Sequence, residues 1–439
     1  MENNQFLTGK NSILTQFSIL LIFINALGLP GNFANYYFPV LDTIFSYLTF
    51  FLMFYVMIIS SGDRLLAMDL LDFKKKYWSI YLLIIVFFVN SMMVTNFPRE
   101  QFISCFRFSM TALFAIWLAD HIGINRILDY IYYASFVISI SCLLFLVINP
   151  NGAYSLSEGG FCFIAPTKNS GASIFLHSIA LLFMRMKFMF EEKRIPERKF
   201  LFTIISQIIF LFMCNSIGAI LGLAIVTVFV FGSLGKACRI ANLNLGLIYI
   251  VVSIGFIIFA LTILQLFTPV LEAIGKDATL TQRVPLWNRI IDIMLVNNTM
   301  RGWGYAMFWR DSSAMKLIHA GFNRNTWLST LTSGAHNVIF DLWLNVGIIG
   351  LGAYFIALLD CFKSPLRLTE LQYEFCGAFM IAFCSHGLME RSFTTFSYQL
   401  LFLFIVLATG CNKEEKAKRR LYSWELKKLQ NNSDMKAAV

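Results

Sequence analysis

The chain is short of charge. Only 14% of its 439 residues are Asp, Glu, Lys or Arg, against about 25% in a soluble globular protein, and this excludes a water-soluble enzyme of ordinary composition. Its nine cysteines include no C-x-x-C pair. Cys105, Cys142, Cys214, Cys376 and Cys384 lie inside apolar runs, where cysteine acts as a small hydrophobe, so neither a disulfide framework nor a zinc site is indicated. There is no HExxH, D-x-D, G-x-G-x-x-G or P-loop, which argues against a metalloprotease, a metal-dependent nucleotide-sugar transferase and an ATPase. No A-x-A-like site follows the first apolar run, so that run reads as an uncleaved span and not as a signal peptide.

What is abundant is apolar. Hydrophobic residues make up 58% of the chain and aromatic ones 16%, with 46 Phe alone and a mean hydropathy of +0.68, a composition that excludes disorder. Apolar runs of about 18–24 residues recur from end to end, each long enough to cross about 30 Å of hydrocarbon. The expected fold is therefore all-α: a polytopic membrane protein of about twelve transmembrane helices. The spans fall near 13–30, 38–61, 79–97, 102–120, 127–148, 171–185, 200–214, 216–234, 244–267, 338–360, 374–390 and 396–411. The stretch 200–234 is long for one helix and short for two, with Asn215-Ser216 as its only polar break.

Lys and Arg set an orientation, because cytoplasmic loops retain positive charge. Lys74-Lys75-Lys76, the Arg185–Lys199 loop, Lys236 and Arg239, Lys363 and Arg367, and the tail from Lys413 all fall on one side of the expected spans. With Arg64 and Arg126 they account for 23 of the 35 basic residues. Most of the net charge of +10 is thus a topology signal, and nucleic acid is not an expected partner. Both termini are expected in the cytoplasm. The chain divides into an N-terminal transmembrane bundle (1–267), an outer loop (268–336) expected to contain short helices, C-terminal transmembrane helices (337–411) and a basic cytoplasmic tail (412–439).

The outer loop breaks the charge pattern, with seven basic residues against Glu272, Asp277, Asp292 and Asp311. Arg283, Arg289, Arg301, Arg310, Lys316 and Arg324 alternate with Trp287, Trp303, Tyr305, Phe308, Trp309 and Trp327. Guanidinium groups suit phosphate, and flat rings suit the apolar faces of sugars. The plainer reading is an aromatic belt with headgroup anchoring, which accounts for the tryptophans better than for the arginines. From Trp287, the positions Ile290, Ile291, Met294 and Leu295 recur at helical spacing, as in a short helix lying on the outer interface.

His336 stands in S-G-A-H-N just before the tenth span. A neutral imidazole can take a proton near pH 7, whereas a lone histidine at a span end is ordinarily a cap. The neighbouring Asn337 and the arginine-rich loop favour chemistry here. His121, His177, His319 and His386 show no ligand-like spacing. Arg107 lies mid-span in F-R-F-S-M, and so is expected to face the bundle interior and meet an anion or an acidic partner. Lys168-Asn169 and Glu390-Arg391 are further polar pairs at outer span ends.

Taken together, these segments resemble the O-antigen ligase and Wzy-type polysaccharide polymerase superfamily, including its exopolysaccharide-polymerase branch. AHNVIFDLWLNVGIIGL reproduces an H-[NSQ]-x9-G-x-x-[GTY] pattern through His336, Asn337, Gly347 and Gly350. TLTQRVPLWNRIIDIMLVNNTMRGWGYAMFW is similar to a T-G-R-x-x-x-W block followed by G-x-G-x-x-x-F/W. There Arg283, Trp287, Gly302 and Gly304 match, while Gln282 stands where Gly is usual. FIAPTKNSGA resembles a K-N-x-x-G loop through Lys168 and Asn169, with Gly171 one position early, and HGLMERS resembles an N-x-x-E-S block through Glu390 and Ser392, with His386 departing. A basic residue expected ahead of the eighth span is absent from Cys214-Asn215-Ser216-Ile217-Gly218.

The resemblance implies a GT-C-like transferase in the bacterial inner membrane, multi-pass, with its active site on the periplasmic face. It would transfer glycan from undecaprenyl diphosphate to an acceptor sugar hydroxyl, with inversion, without metal and without a cofactor. His336 would be the base. Arg283, Arg107, Lys168 and Arg289 would hold the diphosphate. Asn337, Asn169, Trp287, Trp303, Tyr305, Trp309 and Glu390 would bind glycan or support the site. Implied partners are the undecaprenyl-diphosphate-linked glycan donor, a glycan or lipid-linked acceptor, membrane lipid and a chain-length regulator. A polymerase reading is favoured by the G-W-G-Y and K-N segments; a ligase acting on lipid A-core is the alternative. A flippase of lipid-linked sugar is a second alternative. Transporters, however, commonly show repeated halves, and residues 1–200 and 201–411 show no repeat.

Overall fold

The computed structural model describes residues 10–28, 39–61, 76–155, 160–163, 165, 167–269, 279–323, 326–331, 334–390 and 397–411. The basic tail from 412, Lys74, Lys75, Glu272, Asp277, Arg324, Arg391, Ser392 and the Trp327 side chain lie outside the described residues. Among the described residues, fifteen α-helices run in chain order: α1 (Lys10–Ala26), α2 (Pro39–Ser61), α3 (Trp78–Val94), α4 (Pro98–His121), α5 (Ile124–Ile148), α6 (Lys168–Glu191), α7 (Arg198–Met213), α8 (Ile217–Phe231), α9 (Leu234–Ile240), α10 (Leu245–Ile258), α11 (Arg283–Val296), α12 (Ser312–His319), α13 (Val338–Cys361), α14 (Glu370–Gly387) and α15 (Tyr398–Cys411). A small antiparallel pair, β1 (Tyr154–Ser155) with β2 (Gly160–Phe161), precedes α6.

A helix lies at each of the twelve places where an apolar run was expected. In hydrocarbon, every backbone N–H and C=O must be satisfied within the protein, which selects helices from such runs. Among the described residues, five helical segments are long and apolar enough to cross a membrane alone, or six if the pair α8–α9, bent by 67°, is one span. The chain is an integral membrane protein of the all-α class. Its outward residues are apolar: Ile209 and Phe212 on α7, Leu221 and Ile225 on α8, and Val251 and Ile258 on α10 are all exposed.

The 200–234 stretch resolves into two helices. The chain breaks at Cys214–Ser216, where Asn215 takes a left-handed φ of 52°. α8 then runs antiparallel to α14, with Gly222 against Ser385 and Phe229 against Gly377. One end of the bundle carries ion pairs: Lys187–Glu374 and Lys76–Asp120, each at 2.6 Å, and Arg185–Asp129 at 2.5 Å. These are the span ends at which the basic clusters were expected.

Toward the opposite end, α13 is interrupted at Gly347, whose backbone has φ 63° and ψ −169°. The interruption frees backbone groups, and residues 299–304 take them up. The N–H groups of Trp303 and Gly304 donate to the carbonyls of Leu344 (3.0 Å) and Asn345 (2.7 Å), and those of Ile348 and Ile349 donate to Thr299 and Met300 (3.1 Å each). Asn90 Nδ2 on α3 ties both chains together, donating to Val346 O (3.0 Å) and Arg301 O (2.8 Å). Contact this close leaves no room for side chains. A Cβ on Gly347 would sit 2.2 Å from Met300 O, and one on Gly302 would sit 2.6 Å from Leu344 O. The segment from α11 to α13 builds a hydrophobic core of its own, around Leu286, Trp287, Ile290, Met294, Phe308 and Ile318.

Gly347→Ala is expected to destabilise the detergent-solubilised protein by about 3 kcal/mol or more, through a strained φ and the clash with Met300. Gly352→Ala, where an added methyl meets nothing within 4 Å, is the control and should leave the melting temperature unchanged. Equal melting temperatures for the two variants would contradict the docked break.

Candidate active site

Four chain segments converge at the end of the bundle opposite the ion pairs. They are the start of α6, the turn before α11, the turn before α13 and the three residues just after α14. Asn337 begins α13 as its N-cap. Its Oδ1 accepts from the N–H groups of Ile339 (2.9 Å) and Phe340 (3.2 Å), and its Nδ2 donates to Leu388 O (3.1 Å). This hydrogen bond joins the start of α13 to the end of α14. His336, immediately before the cap, has a left-handed φ of 51°. Its imidazole Nδ1 lies 2.9 Å from Glu390 Oε2.

Glu390 is the hub. Its Oε1 accepts from Arg283 Nη2 (2.6 Å) and from Asn169 Nδ2 (2.8 Å), while Oε2 faces His336. Arg283 is gripped further, with Nε donating to Met389 O (3.0 Å) and Nη1 to Leu280 O (3.4 Å). All three side chains are largely but not fully covered, with 24% of His336, 13% of Arg283 and 15% of Glu390 exposed, so the cluster borders solvent. Burial by itself would push the Glu390 carboxyl up. The hydrogen bond and charge of His336, together with the guanidinium of Arg283, outweigh it and hold the carboxyl at about 2.

Leu280, Thr281 and Gln282, with φ of 51°, 59° and 65°, form a left-handed turn directly before Arg283. Each such residue costs about 1–2 kcal/mol, and strain of this kind gathers at functional sites. The position of Gln282, where the resembling block has glycine, is one that glycine would occupy without strain.

His336, Glu390, Arg283 and Asn169, singled out separately in the sequence, are thus brought together. Others are placed elsewhere. Arg289 donates through Nε (2.9 Å) and Nη2 (2.8 Å) to Leu317 O, near the C-terminal end of α12. Arg107, expected to meet an anion or an acidic partner, has its guanidinium over the rings of Tyr47 (5.5 Å) and Phe50 (5.7 Å). Contact of this kind offsets part of the cost of a half-buried guanidinium. Lys168 lays its aliphatic stem against Gly160.

The aromatic residues pack against other side chains of the protein. Trp287 is fully buried, stacks on Phe340 at 5.6 Å and donates from Nε1 to Ala335 O at 2.9 Å. Tyr305 is buried against the rings of Phe87 and Phe108, and Trp303 meets Phe308 edge-on. Trp309 donates to Asp341 Oδ1 at 3.0 Å. Gly350 faces Phe87.

Sequence reasoning passed over Asp341, the backbone carbonyl of Met389 and a polar network behind Asn169. In that network, Gln399 Nε2 meets His386 Nδ1 (3.0 Å) and Ser173 Oγ (2.8 Å), and His177 Nδ1 meets Ser173 O (2.8 Å). An acidic residue in the first turn of an apolar helix was the available signal for Asp341. Among the described residues, no three of His, Cys, Asp and Glu gather as a metal-binding group.

A histidine, a carboxylate and an arginine joined at one end of a helical membrane bundle can remove a proton beside a bound anion. Residues 202–355 match the family model described as O-antigen ligase, and over this segment the chain is similar to the O-antigen ligase/Wzy-type superfamily. Arg283, His336 and the glycines at 302, 304, 347 and 350 fall inside the matched segment, while Asn169 and Glu390 fall outside it. No curated protein and no solved structure matches the chain.

The Glu390 carboxyl is held below its ordinary value of 4.5. A depressed carboxyl stabilises the fold fully above that ordinary value and progressively less as pH falls toward its folded-state value. Melting temperatures of wild type and Glu390→Gln, measured from pH 6 to pH 3, should therefore differ by a constant amount above about 4.5 and converge below it. Parallel curves down to pH 3 would contradict this electrostatic account.

Proposed function

We propose that the chain is a metal-independent inverting glycosyltransferase. It moves an undecaprenyl-diphosphate-linked oligo- or polysaccharide onto an acceptor sugar hydroxyl, as a Wzy-type O-antigen or exopolysaccharide polymerase. The observation that carries this reading is the carboxylate shared by His336 and Arg283. With Nδ1 hydrogen-bonded to Glu390, Nε2 is the ring nitrogen that takes the acceptor hydroxyl proton. The hydroxyl oxygen attacks the anomeric carbon from the face opposite the diphosphate. The bond from that carbon to the phosphate oxygen breaks, and undecaprenyl diphosphate departs with the electron pair. Fixed guanidinium charge from Arg283 stabilises the charge developing on the leaving oxygen, so the donor supplies both the glycan and the driving force.

The surrounding topology belongs to the same reading. All twelve apolar helices span the bacterial inner membrane, both termini lie in the cytoplasm, and residues 268–336 form the periplasmic domain between the 1–267 and 337–411 helices. Support comes from the ion-paired basic residues at the end of the bundle opposite His336. A chain-length regulator is the expected protein partner. A transporter places its ligand site near mid-bilayer, whereas this cluster stands beyond the helix ends, where Glu390 comes after α14 and His336 precedes α13.

His336→Ala is expected to lower glycan transfer by about 10²–10⁴-fold while the protein still accumulates in the membrane. Arg283→Lys retains the charge but loses the planar fork, and should cost about 10–100-fold. Wild-type rates in either variant would remove the corresponding role. In a deletion strain, loss of long polymer with single units still attached marks a polymerase, whereas loss of all attachment marks a ligase.

A further inference from the structure

The geometry points to Asp341 as a positioning residue for His336, an inference that rests on His336 being the base. Asp341 lies one turn into α13, its own N–H bonded to Asn337 O (3.0 Å), and its side chain is 5% exposed. The carboxylate turns back past the start of the helix. There Oδ1 accepts from the Ala335 N–H (2.7 Å) and from Trp309 Nε1 (3.0 Å). The carbonyl of Ala335 is held from the other side by Trp287 Nε1 (2.9 Å). The residue before the base is therefore clamped at both of its backbone polar groups.

The clamp adjoins a strained position. His336, the next residue, has a φ of 51°, a conformation that an L-residue with a Cβ leaves unless it is held. Relaxation of the turn would swing the Cα–Cβ bond and carry Nδ1 away from Glu390 Oε2, 2.9 Å distant. Asn337 fixes the helix start after the base and Asp341 fixes the peptide before it, so the imidazole has one direction in which to point. A charged acceptor makes the hold stronger than a neutral one would. Asp341 also shares one oxygen between Ala335 and Trp309, so the outer segment that carries Trp309 is coupled to the orientation of the base.

The test uses the full chain in detergent or nanodiscs. Its donor is the undecaprenyl-diphosphate-linked glycan extracted from cells deleted for the protein, and kcat and KM are compared among variants. Asp341→Ala should lose about 100-fold in kcat with KM for the donor unchanged. Asp341→Asn, which keeps an acceptor oxygen for both N–H groups, should recover most of that loss, and Trp309→Phe should lose only a few-fold. If the alanine variant fails to fold, Asp341→Glu, with its oxygens one methylene further out, takes its place with the same expectation of lowered kcat at constant KM. Wild-type kcat in Asp341→Ala or Asp341→Glu, a change confined to KM, or an asparagine variant no better than alanine would overturn the inference. Each of those outcomes leaves the base assignment standing as long as His336→Ala is inactive. An active His336→Ala removes the base assignment itself.

Discussion

A single carboxylate joins three distant parts of the chain. Glu390 meets His336 from 54 residues away, Arg283 from 107 and Asn169 from 221. A carboxylate this covered is costly unless both oxygens are occupied, and here Arg283, Asn169 and His336 occupy them. The site exists only when the start of α6, the end of α14 and the segment before α13 are docked together. Its assembly is thereby tied to the packing of the whole end of the bundle opposite the ion pairs. Because the acid is held ionised, it orients the imidazole and does not compete with it for the proton.

The second constraint is the break in α13. Four backbone groups left open at Leu344, Asn345, Ile348 and Ile349 are satisfied by residues 299–304, since buried N–H and C=O groups need partners. Glycines at 302 and 347 permit the approach from the two sides of one contact. The same docked segment leads through Tyr305, wedged between α3 and α4, to Trp309 and Asp341. The backbone exchange that seals the interrupted helix is continuous with the contacts that hold His336.

Much of this was legible in the residues. The apolar runs placed the helices, because hydrocarbon permits few other structures. His336, Arg283, Asn169 and Glu390 stood out through resemblance to short blocks, and the structure unites them. Charge alone misled at Arg289 and Arg107. A guanidinium reads the same in sequence whether it faces a ligand, a carbonyl such as Leu317 O or the rings of Tyr47 and Phe50. Trp287 was open between sugar platform and support, and the structure buries it against Phe340. Asp341 was hidden because its role depends on a side chain turning back past its own helix start, which spacing does not reveal. The left-handed residues at 280–282 were equally invisible, since none is glycine.

The proposed coupling of His336 to Arg283 through Glu390 is open to direct measurement. The measurement is a double-mutant cycle of Arg283→Gln and Glu390→Gln, read in kcat/KM for the lipid-linked donor. Loss of the shared carboxylate should make the second substitution cost much less than it does alone, with a coupling energy of about 1–3 kcal/mol. Fully additive losses would show that the two residues act independently and would contradict the account.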